Sequence, residues 1–300
     1  MNKFSGLEAF VKTIDENGFS AAARKMGVAT SSVTRLVDHL EHNLGTKLIN
    51  RSTRRINITA AGEVFYCQAK NILRDINLAE ETIRDLDTEE RGTIKMSVPV
   101  ALGRLCFMPI FNQFMSEYPA IKLDISFTDQ HVDIVENDLD ISIRIGSLPK
   151  TGNLISTKIM PQRRYVVGSK EYLKQYNSPL APDELYSHHT LIYDYKSGQD
   201  IWRFCKSNNT EEIIEIVLDG RLRSNNSETL LMAVKAHLGL ALLPDWLIKE
   251  DLKTGNLKSV LNEYTVNPHG MQPAIYLFYP ENRKPMKKIR TFIDFIKHNI

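Results

Sequence analysis

The chain has only three cysteines in 300 residues, Cys67, Cys106 and Cys205, and no C-x-x-C pair. An odd, unpatterned set of thiols excludes a disulfide scaffold and fits a reducing compartment. Long apolar runs are missing too. Leu238 to Leu243, interrupted by Gly239, is the longest candidate, well short of the roughly 18 residues that a membrane helix needs. Glu8 stands where a secretion signal would have its apolar stretch. These absences predict a soluble, cytoplasmic chain with no membrane partner. There is no G-x-S-x-G, P-loop, G-x-G-x-x-G or H-E-x-x-H. His188 and His189 are adjacent, without the i, i+4 spacing of a helical metal pair, and read as a loop pair. Cys106 and Cys205 read as packing residues. No catalytic residue, metal ligand or cofactor is therefore expected, and the chain does not read as an enzyme.

Bulk charge is also missing. The 38 Lys and Arg nearly cancel the 36 Asp and Glu, for a net +2. Yet apolar residues make up 42% and charged residues 25%, which suits a globular protein of two or three domains and excludes wholesale disorder. The charge is unevenly spread. Residues 1–60 hold nine bases and five acids, a balance of +4, and residues 61–90 hold three bases and eight acids, a balance of −5. The remaining 210 residues balance at +3. A basic head, an acidic segment and a near-neutral body imply three units, and a basic head suits nucleic acid.

The head reads as two short helices at a tight turn. Phe4, Leu7, Phe10, Val11 and Ile14 recur at helical spacing before Asn17-Gly18. Ser20 is a candidate N-cap for the helix that Gly27 stops. A second helix runs from about Thr30 to Leu44, closed by Gly45, with Val33, Leu36, Val37, Leu40 and Leu44 on one stripe. Its other side carries Thr30, Ser31, Ser32, Thr34 and Arg35, hydroxyls and a guanidinium that suit base edges and phosphates. Spacing alone also admits a plain helical hairpin with a solvated face. Lys47-Leu48-Ile49 and Arg55-Ile56-Asn57-Ile58 then read as two strands around the basic tip Asn50 to Arg54, a wing placed to grip DNA.

Phe19-Ser20-Ala21-Ala22-Ala23-Arg24-Lys25-Met26-Gly27-Val28, Val33-Thr34-Arg35-Leu36, Leu40-Glu41, Leu44-Gly45 and Leu48 to Arg54 resemble the helix-turn-helix of LysR-type transcriptional regulators. Ile58-Thr59-Ala60-Ala61-Gly62 is similar to the segment that opens that family's long helix. The resemblance is nearly continuous over 4–62. It implies double-stranded DNA as a partner, with Thr30, Ser31, Thr34 and Arg35 of the helix-turn-helix (about 19–38) in the groove and Arg51 and Arg54 on the wing. One departure falls where bases are read: Ala29-Thr30 stands where the family often has Ser then Gln. Thr cannot make the bidentate contact of Gln to adenine, so an altered operator sequence is implied.

Phe65, Ala69, Ile72, Ile76, Ala79, Ile83 and Leu86 are spaced 4, 3, 4, 3, 4, 3, a heptad seam. With Thr59 as its cap, the helix spans about 30 residues, a rod of roughly 45 Å. The seam predicts a second helix against it. Packing on its own domain is the alternative; the resemblance favours a dimer, and symmetric dimers bind dyad-related half-sites.

In the body, Thr93–Val98, Ile121–Phe127 and Leu139–Gly146 alternate as strands, with helices expected at Leu102–Glu117 and Val132–Asn137 between them. This predicts an α/β domain with a parallel sheet. Further strands are expected at Arg164–Gly168, Glu212–Leu218 and Ala274–Tyr279, and helices at Thr229–His237 and from Pro285 onward. The basic residues Arg283, Lys284, Lys287, Lys288 and Arg290 read as a solvated face. Phe114 to Pro119, Asp140 to Leu148 and Gly239 to Pro244 resemble the effector domain of the same family, more loosely than the head does. That resemblance implies a two-lobed, periplasmic-binding-protein-like fold, with crossings near Met160-Pro161 and Asn267-Pro268. The implied organisation is a winged helix-turn-helix over 1–58, a linker and dimerisation helix over 59–90, and an effector-binding domain over 91–300. One lobe is 91–161 with 268–300; the other is 162–267.

A ligand would lie between the lobes at the carboxyl ends of strands. Val100, Ala101, Leu102 and Gly103 follow the first strand, Thr128 and Asp129 the second, and Ile145, Gly146 and Ser147 the third; Asn225, Asn226 and Ser227 precede or open a helix. Helix starts and Asn or Ser donors suit a small anion. The family often has hydroxyls just after the first strand, whereas Pro99-Val100-Ala101 offers none, implying a less polar pocket or a different ligand. The reading is a LysR-type regulator, a homodimer or homotetramer that binds dyad-symmetric operator DNA, answers a small-molecule effector and has RNA polymerase as a further possible partner. The alternatives are a constitutive DNA-binding protein whose body only oligomerises and an enzyme with a DNA-binding head.

Overall fold

The computed structural model describes residues 3–51, 56–84, 90–130, 132–146, 154–194, 200–206, 209–268, 273–284 and 286–300. Two compact units divide the chain, residues 1–88 and 89–300. No described helix is long and apolar enough to cross a membrane.

In the first unit, α1 (Lys3–Asp15), α2 (Phe19–Met26) and α3 (Thr30–Leu44) precede a hairpin of β1 (Ile49–Arg51) and β2 (Ile56–Ile58), then α4 (Ala60–Arg84). Leu7, Phe10, Val11, Ala22, Ala23, Val33, Val37, Leu40, Leu48 and Ile49 form the core. Gly27 and Gly45 end α2 and α3 at φ of 67° and 69°, conformations that a Cβ disfavours. Just past each, Val28 N donates to Ala23 O at 3.1 Å and Thr46 N to Glu41 O at 3.2 Å, closing both helices as Schellman turns. Ser20 lies inside α2, whose cap position is Gly18. Leu44 is exposed rather than on the buried stripe. Thr59 does cap α4: its Oγ1 accepts from Gly62 N at 2.9 Å. A Cβ at Gly62 would lie 2.2 Å from Leu48 O, so only glycine lets α4 pass beneath the wing.

Glu41 joins α3 to the wing. Its buried carboxylate accepts Leu48 N at 2.9 Å, Ile49 N at 3.1 Å and Lys47 Nζ at 2.6 Å. Burial works to raise its pKa, but the bonds from Lys47, Ile49 and Leu48 outweigh it and hold the carboxyl below its usual range.

The second unit holds three sheets. The first has the order β4-β3-β5-β15-β6, from β3 (Gly92–Val98), β4 (Ile121–Phe127), β5 (Ile141–Gly146), β6 (Leu154–Pro161) and β15 (Ala274–Pro280). The second has the order β11-β8-β12-β7-β13, from β7 (Arg164–Ser169), β8 (Thr190–Tyr193), β11 (Leu222–Ser224), β12 (Leu240–Pro244) and β13 (Leu257–Val260). A small antiparallel sheet, β10-β9-β14, comprises β9 (Ile201–Lys206), β10 (Asn209–Val217) and β14 (Tyr264–Asn267). The chain leaves the first sheet at Pro161 and enters the second at Arg164; it returns between Asn267 and Ala274. The first sheet is therefore only partly parallel. β3 pairs β4 and β5 in parallel, whereas β15 runs antiparallel to β5 and β6, because the returning chain enters from the opposite end.

A helical stretch follows β3: α5 (Val100–Leu102), a π-helical turn (Gly103–Phe107) and α6 (Met108–Glu117). Phe114 of α6 packs edge-on against Phe292 and Phe295 of α10 (Lys287–Asn299), at centroid distances of 5.0 and 5.2 Å. Such pairs add about 0.5–1.5 kcal/mol each beyond burial. The second sheet is covered by α7 (Lys170–Tyr176), α8 (Ser227–Lys235) and α9 (Asp245–Thr254); Leu230, Val234, Leu247 and Ile248 pack on it.

The expected helix at Val132–Asn137 is instead a series of turns. Asp133 Oδ1 takes the N–H groups of Val135 and Glu136 at 2.7 and 2.9 Å, a local arrangement that competes with helix. The basic cluster is not a uniformly solvated face. Arg283 and Lys288 are buried, and Pro285 lies outside the described residues. Arg283 Nε meets Asp140 Oδ1 at 3.1 Å, and its Nη2 meets Asp138 at 3.1 Å. Asp140 Oδ2 also accepts Lys95 N at 2.9 Å. This network ties β3, the approach to β5 and the entry to α10.

Asp140→Ala removes one of the two carboxylates paired with the buried Arg283 guanidinium, together with the acceptor of Lys95 N, and should cost about 3 kcal/mol in chemical denaturation. Lys95→Met breaks only the half-exposed pair with Asp138 and should cost under about 1 kcal/mol; equal losses would refute the distinction. Glu41→Gln should destabilise the head by about 1–3 kcal/mol. Because the folded pKa of Glu41 is depressed, its contribution is present above the ordinary value of 4.5 and disappears as pH falls through the lower folded value. Unfolding of the variant followed from pH 6 downward should therefore lose less stability than that of the natural chain.

Candidate functional site

At the head, α3 begins at Ala29, which is extended and supplies no side-chain cap. The first N–H groups of the helix are thus free of a side-chain partner at its positive end. Thr30, Ser31 and Arg35 are exposed around this start, and Thr34 is half-buried. Thr30, Ser31, Thr34 and Arg35 occupy one face by their i, i+1, i+4, i+5 spacing. Thr34 Oγ1 donates to Thr30 O at 3.0 Å, so its hydroxyl is left as an acceptor. Arg51 ends β1; nothing is described of its side chain, and Arg54 lies outside the described residues. The uncapped start at Ala29 was visible in the sequence as a missing Ser, Thr, Asp or Asn before the helix.

The heptad seam divides in two. Ala69 is fully buried in the head's own core, with Phe65, Tyr66 and Leu73 packed beside it. Phe65 and Ala69 therefore do not belong to an open seam. Ile72, Ile76 and Ile83 remain 44%, 36% and 68% exposed, and Ala79 is exposed; Leu86 lies outside the described residues. An α-helix at 3.6 residues per turn drifts from a 3.5 repeat, and α1 takes the first turns.

In the second unit, a cavity of about 550 Å³ lies between the first and second sheets. Of the twelve expected effector residues, Ala101, Leu102, Thr128, Asp129, Ile145, Asn225 and Ser227 line it. Four of the other five do not. Val100 reaches it indirectly, donating its N–H to Asp129 Oδ1 at 3.1 Å. Gly103 is a packing position, where a Cβ would meet Phe127 at 2.5 Å. Asn226 caps α8 by accepting Thr229 N at 2.9 Å, leaving Asn225 to line the cavity. Gly146 is absent from the lining, and Ser147 lies outside the described residues. Missed were Ser97, Ser142 and Arg144 on the floor and Arg164, Tyr193, Asp194 and Trp246 on the far wall. The floor had a signal: Ser97 and Ser142 are polar residues inside otherwise apolar strands.

Ser97 Oγ donates to Ser142 Oγ at 2.8 Å, and Arg144 Nε donates to the same oxygen at 3.0 Å. Burial pushes the Arg144 pKa down, opposed by nearby Asp133. Burial pushes Asp129 up; the Val100 N–H opposes this and Glu228 adds to it. Arg104, beside α5, forms an ion pair with Glu228 of α8, linking the two sides. Among the described residues, no group of three or more His, Cys, Asp or Glu is placed to hold a metal.

Comparison with known proteins agrees with this division. The model described as bacterial regulatory helix-turn-helix protein, lysR family, matches residues 4–63, and the LysR substrate binding domain matches residues 87–300. A probable HTH-type transcriptional regulator, LtrA of Klebsiella pneumoniae, is 28% identical over 100% of this chain and 96% of its own. An HTH-type transcriptional regulator of Xanthomonas campestris pv. campestris is 31% identical over 96% of this chain and 82% of its own. Among solved structures, the full-length Vibrio cholerae virulence activator AphB, described as a member of the LTTR protein family, superposes with a TM-score of 0.66 at 28% identity, with 100% of each chain covered. With one matched segment at the head and the other spanning the two-sheet unit, the chain belongs to the LysR family of DNA-binding transcriptional regulators, a helix-turn-helix joined to an effector-binding domain.

Proposed function

We propose that the chain binds dyad-symmetric operator DNA as a homodimer or homotetramer and that a small molecule in the inter-sheet cleft modulates this binding. The observation that carries the reading is the exposed hydroxyl-and-guanidinium face at the uncapped start of α3, on the same chain as a cleft of about 550 Å³. Thr30, Ser31, Thr34 and Arg35 enter the major groove, and Arg51 and Arg54 grip the flanking backbone. Ile72, Ile76, Ala79 and Ile83, continued by Leu86, meet a second copy of α4. The working divisions are 1–58 for the head, 59–90 for the linker helix, and 91–161 with 268–300 against 162–267 for the two lobes. The ligand biases whichever arrangement it binds better, by about 1–3 kcal/mol in regulators generally. The site of action is the cytoplasm, with RNA polymerase as a further partner at the promoter.

Operator fragments selected from genomic DNA supply the probe. Arg35→Ala should weaken binding to them by about 1–3 kcal/mol at fixed salt; unchanged affinity would remove Arg35 from the groove. Ile76→Asp should dissociate the oligomer in sedimentation. Phe65→Asp, by contrast, should unfold the head, since Phe65 packs on its core. An intact oligomer with Ile76→Asp would refute the seam.

A further inference from the structure

The cleft carries a more specific message about its ligand. Ser97 and Ser142 lie in register across the parallel pair β3–β5, and both are buried. A hydroxyl has one proton and two acceptor lone pairs. Ser142 Oγ uses both lone pairs, one for Ser97 and one for Arg144, and its proton is left over. If the bond within the pair runs the other way, the proton of Ser97 is left over instead. In either case one buried O–H, polarised by the adjacent guanidinium, faces the cavity with no acceptor among the described residues. Such a donor in low dielectric favours an anionic oxygen.

The other end of the cavity has the opposite preference. The N–H of Val100, which opens the helical stretch after β3, is already answered by Asp129. The chain thus places its own carboxylate where an anionic ligand was expected, while Glu228 nearby is already paired with Arg104. A cation is favoured at this end and an anion repelled. β3 lies between β4, which leads to Asp129, and β5, which carries Ser142. Strands about 4.8 Å apart put the two ends on the order of 10 Å apart. An amino acid with hydrogen bonds of about 2.9 Å at each end spans roughly that gap. Arg164 and Asp194 on the facing wall add one charge of each sign and leave the balance even, while Leu242 and Trp246 there suit an apolar side chain.

We propose that the cleft takes a small zwitterion of the amino-acid class, its carboxylate received by the Ser97–Ser142 hydroxyls beside Arg144 and its ammonium group by Asp129. This rests on reading the cleft as the effector site. The test is calorimetric titration of the full-length chain with each of the common amino acids, β-alanine and γ-aminobutyrate, alongside the carboxylates and amines that lack one charged end. At least one amino acid should bind, and its one-ended analogues should bind at least about tenfold more weakly. Asp129→Asn should weaken the amino acid by about tenfold or more and narrow its advantage over the simple carboxylate. Ser97→Ala and Ser142→Ala should weaken both carboxylate-bearing ligands; if Ser142→Ala fails to fold, Ser97→Ala carries the measurement. A simple carboxylate that matches its amino analogue, or indifference to Asp129→Asn, overturns the zwitterion and leaves the cleft standing. Ser227→Trp fills the cleft from its rim, and binding that survives it overturns the cleft as the site. A panel in which nothing binds overturns the proposed class.

Discussion

The geometry of the effector domain turns on one desolvated ion pair. Arg283 and Asp140 are buried together, and Asp140 spends its second oxygen on the backbone N–H of Lys95. Charges at this depth persist only when each has a partner and a full set of hydrogen bonds. Here the requirement is met by joining three elements far apart in sequence: β3, the entry to β5 and the segment before α10. The bond to Lys95 N sets β5 against β3, and Ser97 opposite Ser142 follows from that register. A slip of one residue would turn those hydroxyls to the other face of the sheet. The floor of the cleft therefore depends on a charge pair that never touches it.

The head uses the same device at smaller scale. A buried carboxylate, Glu41, takes two backbone N–H groups from the start of the wing and one ammonium from Lys47. It holds the hairpin at a fixed angle to α3, and Gly62 lets α4 pass directly beneath. The face proposed to meet DNA can then remain exposed and polar, with Thr30, Ser31 and Arg35 outside the core. Thr34 is the partial exception, with its hydroxyl proton committed to Thr30 O.

Local pattern and tertiary assignment separate most clearly in α4 and in the basic cluster. The spacing of Phe65, Ala69, Ile72, Ile76, Ala79 and Ile83 was legible as one apolar stripe. Whether a stripe faces its own domain or another chain depends on what lies beside each turn, and α1 lies beside only the first turns. Arg283 and Lys288 look in sequence like their neighbours Lys284 and Arg290, yet they are buried. The acids that surround Arg283 come from about 145 residues away, beyond the reach of any periodicity.

The sequence by itself determined the helix-turn-helix, the wing, the helical linker and the α/β character of the body. Each follows from contacts a few residues apart: apolar spacing, glycines in left-handed turns and alternation along strands. It also placed Ala101, Leu102, Thr128, Asp129, Ile145, Asn225 and Ser227 near a cleft, since these end or follow strands or precede or open a helix. Tertiary structure alone decided what the cleft presents. Asp129 claims the N–H of Val100, Asn226 is spent on capping, and Ser97, Ser142 and Arg144 form the floor. Those roles depend on which strand lies beside which and in what register. Neighbours in space but not in sequence set that register, through buried charges that local pattern does not encode.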